Sequence, residues 1–154
     1  MNTDTAIRIL VVDDDPLAAT ALSDSLCSSG YDATGCASSA EALAALRGTG
    51  FDLLLSDLVM PGMDGVELLL EATKVDPQIV GILMTGRGTI ETAVSAMKAG
   101  ALDYILKPID LAVVLPVLAR AASVRRLRLE NLQLRDTVAI HELSQAIAYT
   151  LDQT

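Results

Sequence analysis

Leu53-Leu54-Leu55-Ser56-Asp57-Leu58-Val59-Met60-Pro61-Gly62-Met63-Asp64-Gly65 decides the fold of this chain. An apolar run ends in a carboxylate, and a Pro/Gly turn follows at once. That order places Asp57 at the exposed end of a buried strand. Ile9-Leu10-Val11-Val12 runs into Asp13-Asp14-Asp15 in the same way. Two strands therefore deliver several carboxylates to one edge. Such a cluster repels itself unless a cation holds it together, and hard oxygen donors point to Mg2+.

Strand and helix signals alternate on either side of this stretch. Strands are expected at 7–12, 32–36, 52–56, 79–84 and 104–106. Asp15-Pro16 opens a helix that Gly30 closes, with Asp15 as N-cap. Ser38-Ser39-Ala40-Glu41 forms a capping box for a helix ending near Gly48. Asp64, with Glu67 three residues on, starts the next, and Pro77 lies past its end. Gly88-Thr89 opens a helix with Ile90, Ala93, Val94 and Met97 on one face, and Gly100 closes it. Five strands interleaved with helices mean an α/β fold with a parallel sheet. Ligands of such sheets bind beyond the carboxyl ends of the strands. Asp13, Asp14, Asp57, Thr85 and Lys107 all fall at that end.

From Leu111 the pattern turns helical and carries no further Gly or Pro after Pro116. Pro116 is expected to kink or delay this helix. Positions 115, 118, 122, 125, 129, 132, 136, 139, 143 and 146 follow a heptad spacing, interrupted only by Arg125 and Asp136. A helix over 111–149 would extend roughly 58 Å. The arginines at 120, 125, 126, 128 and 135 read as a solvated face rather than a DNA contact.

Composition narrows the function classes. The chain has 154 residues, is 51% hydrophobic and only 3% aromatic, and carries a net charge of −9. Residues 1–110 hold 6 basic and 16 acidic side chains, net −10, and residues 111–154 hold 5 and 4, net +1. The acidic first part argues against nucleic-acid binding there. Cys27 and Cys36 show no metal spacing, which fits a reducing cytoplasm. No signal peptide or membrane-spanning stretch is read.

Chemistry alone assigns five side chains. Asp13, Asp14 and Asp57 offer oxygen ligands for Mg2+, Thr85 a hydroxyl donor and Lys107 a compact positive charge. The set suits phosphoryl transfer to a carboxylate, giving an acyl phosphate on Asp57.

Over residues 5–122 the chain resembles the receiver domains of two-component response regulators. The resemblance rests on Leu10-Val11-Val12-Asp13-Asp14-Asp15, the stretch from Asp57 to Gly65, Thr85-Gly86, and Asp103-Tyr104-Ile105-Leu106-Lys107-Pro108. It implies a doubly wound, flavodoxin-like sheet of order 2-1-3-4-5 with a long C-terminal helix. It implies a receiver at 1–122, with 123–154 as a helical linker. The heptad stripe points to a parallel coiled-coil homodimer through that helix, and the tail to the start of an absent output domain. By resemblance Asp57 is the phospho-acceptor, fed by a sensor histidine kinase or phosphotransfer protein. Asp14 is then the direct metal ligand and Asp13 acts through water, with the Val59 carbonyl as a further ligand. Thr85 and Tyr104 form the switch pair, and Lys107-Pro108 is a cis peptide. Val59 and Arg87 flank the path of the hydrolytic water and tune the phosphate's lifetime. The protein would catalyse its own phosphorylation and dephosphorylation without being a conventional enzyme.

Two rival readings and two tail motifs complete the analysis. A haloacid-dehalogenase-type phosphatase needs a second Asp two residues after the nucleophile, where this chain has Val59. An interaction module that never takes up phosphate would not need the intact acids, Thr85 and Lys107. Ile140-His141-Glu142-Leu143-Ser144 resembles a kinase histidine box without its Arg and Pro, so a surface His is preferred. The stretch Leu143–Asp152 resembles the entry helix of a GAF-type sensory domain.

Overall fold

The computed structural model describes the backbone of residues 6–152 and the side chains of residues 6–134. The elements run β1 (Arg8–Val12), α1 (Pro16–Ser28), β2 (Asp32–Cys36), α2 (Ser39–Gly48), β3 (Leu53–Asp57), α3 (Gly65–Val75), β4 (Val80–Thr85), α4 (Ile90–Lys98), β5 (Asp103–Leu106) and α5 (Leu111–Asp152). The strands form one parallel sheet of order β2-β1-β3-β4-β5, as expected. β3 and β4 each sit one residue later than the apolar pattern indicates. The ladder takes in the polar end residues themselves: Asp57 pairs with Met84 and Thr85 with Leu106.

Alternation along the strands divides the core between two layers. Leu10, Val12, Leu54 and Leu83 face α2, α3 and α4, meeting Leu46, Leu68, Leu69, Ala72 and Ala96. Ile9, Val11, Leu53, Leu55, Ile82 and Met84 face α1 and α5, meeting Leu26, Val114, Leu118 and Ala121. Nearly all these side chains are sealed from solvent. Each buried Val, Leu, Ile or Met among them contributes about 1.5–3 kcal/mol by burial.

The helix starts obey their caps. The Asp15 carboxylate accepts from Leu17 N–H, the Ser38 hydroxyl from Glu41 N–H, and the Asp64 carboxylate from Glu67 N–H. Glu41 reaches back past the cap to Ala37 N–H. Thr89 and Thr92 cap each other at α4. Gly30 and Gly100 end α1 and α4 at φ +102° and +95°, where a side chain would be strained.

α5 corrects three expectations. Pro116 does not delay it, since the helix is already formed at Leu111. Pro116 and Ala112 are exposed, so water can satisfy the Ala112 carbonyl that loses its helical donor. Leu118 and Arg125, read as seam positions, face the receiver itself: Leu118 is sealed in the core, and Arg125 is only 15% exposed. The arginine cluster is not a uniformly solvated face. Arg120 pairs with Asp103, Arg125 with Asp52 and Asp76, and Arg128 donates to the Ile79 carbonyl. Leu129 and Leu132 remain exposed. The side chains of Arg135, Asp136, His141 and the 143–152 tail lie outside the described residues.

Candidate functional site

The sheet's own hydrogen bonds fix the backbone of the site. Past each strand end one more ladder bond forms. Asp13 N–H donates to Cys36 O at 3.1 Å, Leu58 N–H to Met84 O at 2.7 Å, and Lys107 N–H to Thr85 O at 2.8 Å. Asp13, Asp57 and Lys107 are thus held by strands rather than by free loops. Asp13 and Asp57 are buried, whereas Asp14 is exposed.

Three carboxylates converge. One oxygen from each of Asp13, Asp14 and Asp57 lies within 4.8 Å of the other two. Lys107 Nζ donates to Asp13 Oδ2 at 2.8 Å and to Asp57 Oδ2 at 3.0 Å. Asp13 Oδ1 also accepts from Asp15 N–H. Burial pushes the Asp57 carboxyl above the ordinary aspartate range, and the charges of Asp13 and Asp14 add to this. Lys107 opposes the rise but does not cancel it. Burial pulls the Lys107 ammonium down, yet its bonds to Asp13 and Asp57 win and raise it overall. One lysine facing three carboxylates leaves the cluster negative. Hard oxygen donors at this spacing, with charge to spare, fit a small divalent cation such as Mg2+.

Thr85 is buried at the end of β4, but its hydroxyl does not reach toward Asp57. It donates to Arg87 O and accepts from Arg87 N–H, both at 3.0 Å, closing a local turn. The Arg87 side chain is exposed. Tyr104 is half-buried against the α2–α4 layer. Lys107-Pro108 is a cis peptide. The Val59 side chain is exposed on the loop after Asp57.

Sequence reasoning quoted Gly65 but gave it no role. Its N–H donates to Leu58 O at 2.8 Å, drawing the start of α3 onto the end of β3. A Cβ at Gly65 would fall inside van der Waals contact of the Asp57 carbonyl oxygen. Gly65→Ala is therefore expected to cost about 1–3 kcal/mol, because backbone must move to admit the methyl. Urea unfolding would measure this, and an unchanged midpoint would refute the close approach. The only sequence signal was a glycine just inside a helix start.

A cavity of about 310 Å3 opens beside the acids, lined by Asp13, Lys107 and Pro108 and by Ala18, Ala21 and Leu22 of α1. Among the described residues no helix is long and apolar enough to cross a membrane.

Comparison with known proteins agrees with this geometry. The response regulator receiver domain family matches residues 9–119. The transcriptional regulatory protein ZraR of Salmonella typhimurium is 46% identical over 104 residues, covering 68% of this chain and 24% of that protein. The C4-dicarboxylate transport transcriptional regulatory protein DctD of Rhizobium meliloti is 38% identical over 130 residues, covering 84% and 28%. The chain thus spans about a quarter of the length of these curated relatives. A CheY-like receiver domain protein from Methanospirillum hungatei superposes with a TM-score of 0.75 at 32% identity, covering 80% of this chain and 99% of that one. NtrX from Brucella abortus, solved in complex with ATP, gives 0.78 at 33%, covering 84% and 30%. With its fold, its converging strand-end carboxylates and this match over most of its length, the chain belongs to the response regulator receiver domain family.

Proposed function

We propose that this protein is a phosphorylation-controlled switch in which Asp57 accepts a phosphoryl group from a phosphohistidine on a sensor kinase or phosphotransfer protein. The observation that carries the reading is the placement of Asp57, buried at the end of the central strand between two acids and bonded to Lys107. A carboxylate oxygen of Asp57 forms the new O–P bond as the P–N bond to the donor imidazole breaks. The electron pair stays with the imidazole nitrogen. Lys107 holds the attacking carboxylate in place and balances charge on the phosphoryl oxygens. Asp13, Asp14, Asp57 and the Val59 carbonyl would hold Mg2+, which supplies further neutralisation of those oxygens. Thr85 donates its hydroxyl to a phosphoryl oxygen once its bond to the Arg87 carbonyl breaks. Tyr104 moves with it, changing the face formed by α4, β5 and α5.

The test is incubation with acetyl phosphate and Mg2+. A receiver gains one stable phosphoryl group per chain. Repeated turnover of unrelated phosphoesters would instead mark a phosphatase, and no uptake would mark an interaction module.

Val59 and Arg87 sit two residues beyond Asp57 and Thr85, both with exposed side chains, and set the lifetime of the acyl phosphate by controlling water access. Arg87→Ala is expected to change the dephosphorylation rate several-fold while phosphorylation still occurs. Identical decay of the two phosphoproteins would make Arg87 a bystander.

Residues 1–122 act as the receiver and 123–154 as a linker to an output domain, in the cytoplasm. The chain itself makes no nucleic-acid or membrane contact in this reading. A second copy covers the seam positions that α5 leaves exposed, Leu129 and Leu132. Sedimentation is expected to show a concentration-dependent dimer that truncation after Ala122 abolishes. A chain that stays monomeric at high concentration, with and without beryllofluoride, would remove the dimer.

A further inference from the structure

The pole of the sheet opposite the acid cluster carries a second charge network. Asp52, just before β3, accepts from Arg8 N–H through Oδ2 at 2.8 Å. Its Oδ1 lies 3.3 Å from Arg125 Nε. Asp76, the C-cap of α3, accepts from Arg125 NH1 through Oδ2 at 2.6 Å and from Gln78 N–H through Oδ1 at 2.9 Å. One helical turn later Arg128 NH1 donates to Ile79 O at 3.1 Å. Arg125 therefore ties α5 to two separate segments, one before β3 and one before β4.

The apolar hold on α5 stops short of this point. Among the described residues Ala121 is the last sealed core residue of the helix, and Val124 is half-buried. From there the apolar side chains Leu127, Leu129, Leu132 and Leu134 are exposed. What fastens 125–128 to the receiver is charge. Arg125 Nε is buried and close enough to Asp52 for attraction, yet not aligned for a hydrogen bond. The grip of Arg125 thus rests on one well-formed bond to Asp76 and one unaligned ion pair, with the Arg128 bond to the Ile79 carbonyl one turn further on. That is a clasp that can open without disturbing the core.

We propose that Arg125, with Asp52 and Asp76, is an electrostatic latch that holds the first turns of the linker helix on the receiver and sets the direction in which the helix leaves it. Arg125 is a positioning residue. Its role does not depend on Asp57 being phosphorylated, so it stands or falls apart from the reading above. With the latch closed, the rigid unit extends at least to Arg128, and Arg125 is withheld from any partner. With it open, the helix past Ala121 is held to the receiver only by half-buried Val124 and the Arg128 bond to the Ile79 carbonyl, and it frays more readily.

Amide hydrogen exchange on the full chain, diluted until sedimentation shows monomer, tests this without a ligand. Arg125→Met keeps the aliphatic stem, and Asp76→Asn keeps the acceptor for Gln78. Each is expected to speed exchange of 125–134 at least tenfold while β1 and β3 keep their protection. The double variant should be no faster than Arg125→Met alone, because both changes remove one interaction. Unchanged exchange in Arg125→Met, or single effects that multiply in the double variant, would overturn the latch. Should Arg125→Met loosen β3 as well, Asp76→Asn decides alone by the same criterion.

Discussion

Asp57→Asn is expected to reduce phosphorylation by acetyl phosphate to background and to abolish the spectral response to beryllofluoride with Mg2+. The amide keeps the shape of the side chain, and its oxygen can still accept from Lys107, so the fold has little reason to change. What it loses is the anionic nucleophile. No neighbour can replace it. Asp13 is buried and committed to Lys107 and Asp15 N–H. Asp14 is exposed and lacks the lysine contact that Asp57 has. Asp57 alone combines the end of the central strand, flanking acids and a bond to Lys107. Mass spectrometry counts the phosphoryl groups. Full phosphorylation of the Asn variant would move the acceptor elsewhere.

The second large effect concerns the metal. Mg2+ keeps several waters and needs few carboxylates, so weak binding is expected without phosphate. Removing Asp14 deletes one of three anionic ligands, and Asp14→Ala should weaken Mg2+ by about tenfold or more. With no Trp in the chain, calorimetry or NMR would follow the binding. The same repulsion taxes the metal-free fold. Asp14→Asn should raise the melting temperature without metal, and wild type should gain from Mg2+ because only the folded state assembles the site. The pH dependence has a definite sign. The folded chain keeps the Asp57 proton at a pH where the unfolded chain has released it, so the folded state binds more protons. Metal-free stability should then fall as pH rises through the elevated Asp57 range, and Mg2+ should flatten that slope. Equal Mg2+ affinity in wild type and Asp14→Ala would exclude this ligand set.

The sequence was most readable where polarity changes abruptly. Val12-Asp13 and Ser56-Asp57 mark strand ends because a buried parallel strand tolerates no carboxylate until it reaches the sheet's rim. Four strand ends on one rim gave the site. Arg125 was misread for an equally physical reason. A heptad stripe looks the same whether it packs on a partner or on its own sheet, and only the fold brings Asp52 and Asp76 beneath it. The partner of the Thr85 hydroxyl was not legible, because it lies in a local turn to Arg87. Gly65 stayed silent because the need for a missing Cβ lies in Asp57, eight residues away.

The order of the strands has a kinetic side. β1 lies between β2 and β3, and Ile9 must find Leu53 across both α1 and α2 before the centre of the sheet exists. No two adjacent strands are joined by a hairpin, so every pairing closes a long loop before it gains anything. Asp13 and Asp57 are carried on those two strands and meet only when that register has locked. The early stages of folding are therefore blind to their repulsion. Their repulsion enters only with the pairing that makes the centre of the sheet, and the finished molecule carries its cost.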